Sequence, residues 1–527
     1  MTATWPAHGT TNWDMVLRDY IDHAFGQIAI AVATYATPQQ IAGTADATSA
    51  WQVAGNQLAQ FGGGRLLGIG GQWWFDGSKM IMATPAPGSP DPRWDHVHID
   101  LTGCRLFKTT NNGNYVIVLD RYGALGYGGG VNDFSIENGL VEGSFSDTSP
   151  AMVNLFCGNH SRNVRIRNIT FRACNVQGGH TFELDGCDDV LIEDCRWYGY
   201  KPDGVSAPRT EAINTDCSVV GSGAAVAGYA DGLPCKNIKV NRCTFNPWTD
   251  PATGTTWPSP PILGTHGARE GARHQDIVAT GILSIDPPVD AAATGVAGDN
   301  TYMRGLIHYP GVKGLTVQMK VIATNGQGSI RCVQVETYTT GTLASSDPNA
   351  PTSGTFTVPS IAEDVDIDIE VEGFNGTASS LNPAVYVGGN SAAGGNAKNV
   401  DIRARITGVY KEAVYLWRVD TATVRLPKCD TATSGARVEF CTGVSVSGKF
   451  RNVQLPVRFR NTSLRCSAPD LTTVNDTGTN YASIVEVTSG SDSITVGTVA
   501  SAGYTALYSA TPVSHAEGAL VGVPAPA

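Results

Sequence analysis

The sequence predicts an all-β chain wound as a single-stranded parallel β-helix, with a capping helix near its N-terminus and a β-rich C-terminal tail. Three observations lead there. A short phrase recurs at Asn163–Ile169, Asp189–Cys195, Asn237–Cys243 and Asp276–Ile282, each opening on Asn or Asp and alternating apolar with polar residues. That alternation is the period of a strand. The phrases are unevenly spaced, as expected of a solenoid whose wall strands keep their form while the turns vary in length. Finally, the 527 residues include 61 glycines and only 16% charged residues, which suits many tight turns between stacked neutral strands. Overlaid, Ile169, Cys195, Cys243 and Ile282 form one inward stack.

Taken in order, residues 12–34 read as an amphipathic helix, with Val16, Leu17, Tyr20, Ile21 and Ala24 at helical spacing. Residues 1–44 are therefore expected to be a helical docking or oligomerisation segment, ended by Pro38 and Gly43. Residues 46–61 read as a second helix, capped by Thr48 or Ser49, with Trp51, Val53, Ala54 and Leu58 facing inward. Gly62, Gly63 and Gly64 stop it, and Arg65–Ile69 begins the first strand. The open end of a β-helix exposes its core, so a cap is physically required. The solenoid is expected over 45–460, with further rungs at Val97–Leu101, Phe134–Asn138, Leu315–Met319, Val365–Val371, Val400–Ala404 and Val444–Gly448. Residues 461–527, rich in Thr, Ser, Val and Ala, are expected to form a separate β-rich tail suited to a trimer cap.

Composition narrows the function. A net charge of −11 argues against nucleic acid as a partner. No run of about 18 apolar residues exists, so no membrane span is expected. Met1–His8 has neither the basic nor the apolar region of a signal peptide, which predicts synthesis in a reducing cytosol. The twelve cysteines include no CxxC pair and no zinc-like spacing with His. Cys195 and Cys243 fall where sister rungs carry Ile, and read as small buried hydrophobes. Cys217 and Cys235 are placed to bridge one loop. No metal and no cofactor is expected.

A second set of strands carries the chemistry: His180–Asp185, Glu211–Asp216 and Pro261–His266. Superposing Phe182, Ile213 and Leu263 as inward residues turns Glu183, Asn214 and Gly264 outward on one row, and Asp185, Asp216 and His266 on the next. Adjacent coils lie about 4.8 Å apart, so Asp185 and Asp216 become neighbours on one exposed face. Two carboxylates this close repel, and one holds its proton to higher pH. An acid beside a base or nucleophile is what glycosidic cleavage needs, and a spacing of about 5 Å is nearer the retaining geometry. Glu183 and Glu211 are further acidic candidates. His266 is placed to polarise a sugar hydroxyl or tune the acid. His180 and Glu211 hold matching strand starts and line the same groove. Trp197, Tyr198, Trp248 and Trp257 lie in flanking segments suited to stacking on sugar rings. Singly, an outward Asp or Asn is ordinarily solvated or bonded within a turn; the convergence on one face carries the reading.

The series His180–Leu184, Cys195–Gly199, Glu211–Asp216, Asp231–Cys235, Gly264–His266 and Arg304–Ile307 resembles a branch of the pectin-lyase-like superfamily of right-handed parallel β-helices. Its members include Gram-positive surface proteins and phage tailspike or tail fibre proteins. The resemblance spans residues 45–320. It implies carbohydrate processing or binding, with Glu183, Glu211, Asp216, Asp231, His266 and Arg304 as groove residues. Asn214–Asp216 also matches the Asn-Thr-Asp element of polygalacturonases, and Gly264–Gly267 partly resembles their Gly-His-Gly. Their Asp-Asp pair is approached only by Asp231, and their Arg-x-Lys element is missing, which separates the hydrolytic chemistry from pectin as a substrate.

Three functions follow as expectations. The first is a phage tailspike or tail fibre protein, homotrimeric, assembled in the virion with other tail or baseplate proteins, that cleaves host cell-surface polysaccharide. The second is a tail protein that binds the glycan without cleaving it. The third is a bacterial polysaccharide hydrolase or lyase, in which Arg304 or Arg273 would serve as base.

Overall fold

The structure, a computed structural model, describes residues 28–108, 115–145, 156–176, 179–201, 211–219, 226–265, 271–288, 305–325, 330–341, 354–375, 383–389, 395–410, 412–430, 434–461, 463–477 and shorter pieces between 481 and 509. Left-handed residues at fixed positions turn the period-2 phrases into coils. Asp133, Asn163, Asp189, Asn237, Asp276, Gly314, Asp364, Asn399, Thr421 and Gly443 hold the same position on successive coils, and all have φ between 53° and 76°. That region penalises most side chains and admits Asn, Asp and Gly most readily. The opening residue of each sequence phrase is therefore a corner. Corner side chains also bond to the coil before: Asn399 Nδ2 donates to Asp364 Oδ1 at 3.0 Å and Asn163 to Asp133, corner to corner, and Asn237 Nδ2 to Asp188 Oδ1, beside the Asp189 corner, at 2.8 Å.

A second left-handed row, at Gly103, Asn138, Asn168, Asp194, Arg242 and Gly281, bends the same strands again. The result is two parallel sheets. One, of 19 strands, carries the recurrent phrases and bends into two walls. The other has 14 strands running in chain order from Ile81–Met82 to Tyr508–Ser509. It forms the third wall, called the site wall below. All three enclose one continuous apolar core. This is a parallel β-helix, and the rungs expected from the sequence all lie on the bent sheet.

Ile169, Cys195, Cys243 and Ile282 stack inward and are buried. All twelve cysteines are buried and none is disulfide-bonded, so Cys217 and Cys235 form no bridge.

The cap is the helix Thr48–Gln60, which follows Ala47 and not a side-chain cap of its own. Asp46 takes that role, accepting from Thr48 N at 3.3 Å and Thr48 Oγ1 at 2.9 Å. Ala50, Trp51, Ala54 and Leu58 face the core, and Trp51 meets Trp73 edge-on at 5.8 Å. Val53, expected inward, is half exposed, because a 100° step per residue carries it off the stripe that Trp51, Ala54 and Leu58 share. The helix expected over residues 12–34 falls mostly outside the described residues. Its described end is instead the strand Ala29–Ala31, paired with Gly64–Leu67, and a 3₁₀ turn at Val32–Tyr35.

Past residue 460 the ladder does not break. Ser467–Val474 and Thr495–Ala502 continue the bent sheet, and Val485–Val487 and Tyr508–Ser509 continue the site wall. Residues 510–527 lie outside the described residues. No described helix is long and apolar enough to cross a membrane.

Candidate active site

Three short strands of the site wall, Phe156–Asn159, Phe182–Asp185 and Ile213–Asp216, lie side by side in parallel. Phe182 and Leu184 point into the core beside Phe156 and Ile213. Strand alternation then aims Glu183, Asp185, Asn214 and Asp216 outward. Glu183 pairs with Asn214, Asp185 with Asp216, and Asn214 with Gly264. One carboxylate oxygen from each of Glu183, Asp185 and Asp216 lies within 4.8 Å of the others.

The face expected to be exposed is covered. Glu183, Asp185 and Asp216 retain 8%, 0% and 8% of their accessible surface, and His180, Glu211 and Asn214 are also buried. Alternation decides which way a side chain points. Whether it meets solvent depends on what packs above it, and the strand pattern carries no information about that.

Neighbours hold the carboxylates in place. Thr265 Oγ1 donates to Asp216 Oδ1 at 2.7 Å, and Asn214 Nδ2 donates to Glu183 Oε1 at 3.0 Å. His180 Nδ1 lies 2.7 Å from the Glu211 carbonyl, so that nitrogen carries a proton, while its Nε2 is 3.9 Å from Glu183 Oε2. Glu211 reaches over Gly264, where a Cβ would lie 2.9 Å from Glu211 Oε1. The missing side chain at Gly264 makes room for this acid.

Three residues that the sequence reading missed support the cluster from inside. Thr215 Oγ1 donates to the Gly264 carbonyl at 3.0 Å and sits 2.9 Å from the Tyr309 hydroxyl. Cys235 N donates to His274 Nδ1 at 3.2 Å, and Cys235 Sγ to the Asp216 carbonyl at 3.5 Å. Burial pushes the His274 imidazole down to about 4, against the pull of Asp216. On the outer side, Tyr115 packs over Val118 and Cys157. Burial raises its phenol, and the charges of Cys157, Glu183 and Asp185 raise it further. Inward polar residues in a β-helix wall were the only sequence signal available for Thr215 and His274.

Other expected site residues lie elsewhere. Trp197 is a core residue, stacked between Phe171 at 4.8 Å and Phe245 at 4.7 Å, because alternation along Arg196–Lys201 turns it inward. Tyr198 faces outward from the bent sheet, paired with Arg172 and Asn246. Trp248 and Trp257 pair across a two-stranded hairpin and pack on Phe145 at 5.6 and 5.5 Å. Asp231 is held by bonds to its own and a neighbouring loop. Arg273, the alternative base, donates to Glu363 at 2.7 Å. His266 and Arg304 lie outside the described residues.

The ladders, corners and single core define the chain as a parallel β-helix. No protein-family model matches the sequence, and no curated protein matches it either. Among solved structures, the chain is similar to the Streptococcus pneumoniae surface protein and adhesin PfbA, at 15% identity, over 85% of this chain and 100% of that one, with a TM-score of 0.54. That likeness establishes the fold alone. Weaker superpositions are found with the catalytic unit of a GH87 α-1,3-glucanase from Streptomyces thermodiastaticus (12% identity, 92% of this chain, 69% of that one, TM-score 0.47) and with tailspike protein 3 of bacteriophage CBA120 (11%, 97%, 65%, 0.40).

Proposed function

We propose that the chain binds a cell-surface polysaccharide on its site wall and hydrolyses a glycosidic bond there, as the tailspike or tail fibre protein of a phage. The observation that carries the chemistry is the in-register pair Asp185–Asp216 on adjacent coils, with carboxylate oxygens within 4.8 Å. Close carboxylates cannot both ionise freely, so one is available as general acid and the other as nucleophile or base. Their separation is nearer the retaining arrangement than the wider inverting one. Glu183 and Glu211 shape the charge around the pair, while His180 and Asn214 orient Glu183 and offer hydrogen bonds to sugar hydroxyls. His266 remains a groove candidate on the strand alignment and the resemblance, and Arg304 on the resemblance. The tail-protein assignment is supported by the resemblance described above. It carries with it a homotrimer, tail or baseplate partners, and action at the host surface.

The test uses the full chain and a set of bacterial envelope polysaccharides. New reducing ends without the ultraviolet absorbance of an unsaturated sugar are expected, abolished in Asp216→Asn and Asp185→Asn. Binding without any product from the unmodified protein would overturn the hydrolase reading and leave a receptor-binding protein. A stable monomer by light scattering would count against the tailspike assignment.

A second reading is favoured by a specific observation. The three clustered carboxylates adjoin Asn214 Oδ1 and Asn159 Oδ1, two buried amide oxygens with no hydrogen-bond donor. An all-oxygen set of this kind suits Ca²⁺. In this reading Glu183, Asp185 and Asp216 would hold the ion, which would supply positive charge to an acidic sugar. Calorimetric Ca²⁺ binding lost in Asp185→Asn, with chelator-sensitive release of unsaturated sugar, would favour it over hydrolysis.

A further inference from the structure

The site-wall strand ends at Asp216 and the next strand of the bent sheet begins at Lys236. The neck of the intervening segment is closed by Ser218 N donating to the Leu233 carbonyl at 2.9 Å and Gly232 N to the Ser218 carbonyl at 2.6 Å. Beyond the neck, the segment 226–234 runs back over earlier coils as a strap. Its keystone is Asp231. Asp231 Oδ1 accepts from His160 Nε2 at 2.8 Å and from Leu233 N at 3.1 Å, and Asp231 Oδ2 accepts from Gly126 N at 2.8 Å. Two further bonds flank it: Asn159 Nδ2 donates to the Tyr229 carbonyl at 3.1 Å, and Tyr127 Oη to the Pro234 carbonyl at 2.7 Å.

His160 joins this strap to the candidate site. It is wholly buried, in the left-handed conformation with φ 56°, at the corner one coil before Asp185. Its backbone N–H donates to the Asp185 carbonyl at 3.0 Å, and its own carbonyl accepts from Gly128 N at 2.8 Å. The next coil repeats the link, Gly186 N donating to the Asp216 carbonyl at 3.1 Å. His160 therefore holds Asp231 through its ring and Asp185 through its main chain. A left-handed corner carrying an imidazole is strained unless its surroundings fix it, and the bond to Asp231 is the fixing contact.

We propose that Asp231 and His160 are positioning residues for the Asp185–Asp216 pair: the strap, locked by the imidazole–carboxylate bond, sets where the two strand ends sit relative to each other. This rests on the reading that Asp185 and Asp216 react. The strap leaves from one member of the pair and is pinned on the residue that hydrogen-bonds the other, so one contact adds to the strand ladder in holding their separation. Small displacements of reacting groups are costly, on the order of 10²-fold in rate for about 1 Å.

The test compares glycan cleavage by the full-length protein and by Asp231→Asn, His160→Gln and the double variant. Gln keeps a donor near the Nε2 position, so His160→Gln should retain part of the activity that His160→Ala loses. Asp231→Asn should lower kcat by about 10-fold or more with KM little changed, since Asp231 acts on the pair through His160. The double variant should be no worse than the poorer single, because both remove one contact. Tyr127→Phe, which frees only the strap's return at Pro234, should give a smaller loss in kcat and serves if Asp231→Asn does not fold. An unchanged kcat in Asp231→Asn, or additive losses in the double variant, would overturn the proposal while Asp216→Asn remained inactive. Cleavage unaffected by Asp216→Asn would instead overturn the site reading on which it rests.

Discussion

Thr265 Oγ1 donates to Asp216 Oδ1 at 2.7 Å, at the strand end where Asp216 stands in register with Asp185. A hydrogen bond to the ionised form favours ionisation, so in the proposed hydrolysis this contact favours Asp216 as the carboxylate member.

Thr265→Val should therefore disturb the pH–rate profile more than the fold. Loss of the donor raises the pKa of Asp216, so the acid limb moves to higher pH, while activity well above that limb is largely kept. Replacing either acid by Asn should cost about 10²–10⁴-fold in kcat. Steady-state rates across the pH range read both effects.

Asp120 should make the protein less stable as pH rises from about 4 through about 6. Burial lifts its carboxyl up to about 6, opposed by Gly123 N and by His160. The folded state thus holds this proton more tightly than the unfolded chain. Its favourable contribution is complete below about 3.8 and is lost as pH rises through 6. The rise from 3.8 to about 6 amounts to a penalty on the order of 3 kcal/mol once ionised. Asp120→Asn, which keeps an acceptor for Gly123 N, should unfold at higher denaturant than the parent at pH 7.5 and no higher at pH 4.

His274 acts in the opposite direction. Its imidazole is buried neutral, down to about 4 from 6.5. The stability it allows is complete above 6.5 and is lost as pH falls towards 4, where a buried ring must charge. His274→Asn, which offers Cys235 N an acceptor without titrating, should shift the onset of acid unfolding to lower pH, as followed by circular dichroism.

Trp197 should matter to stability and not to glycan binding. Its ring lies almost parallel to that of Phe245, at 8°, and it meets the site wall only from the core side, edge-on to Phe182 at 6.3 Å and with Nε1 donating to Thr181 Oγ1 at 3.2 Å. Trp197→Ala should destabilise by about 3–5 kcal/mol, and Trp197→Phe by much less. A loss of glycan affinity in a folded Trp197→Phe would contradict this placement.

The corner residues give a backbone test. Asn237 has φ 54°. Asn237→Gly should be tolerated, whereas Asn237→Val should cost about 1–2 kcal/mol, because a β-branched residue resists the left-handed region. Unfolding midpoints of the two variants decide it.

The sequence by itself determined the repeat and its register. The alternation in Asn163–Ile169 and its sisters specifies which residues face the core, because a strand repeats every two residues and a slip by one would expose Val164, Ile166 and Ile169 together. The same rule aligned Phe182 with Ile213 and so brought Asp185 beside Asp216. It also made sense of the cysteines, which stack where isoleucines would. Even the opening Asn or Asp of each phrase was visible, although its meaning as a left-handed corner needed backbone angles.

The tertiary structure alone decided what surrounds that face. Whether Asp185 is open or covered depends on long-range packing, of the kind seen in the contact of Asp231 with His160, 71 residues apart. Alternation predicts direction, and so it correctly pointed Asp216 outward. It is silent on cover, on the inward support from His274 and Tyr309, and on which wall a loop tryptophan joins. Trp197 shows the difference: an aromatic residue beside polar neighbours reads as a sugar platform until three rings from three coils are found stacked inside the barrel.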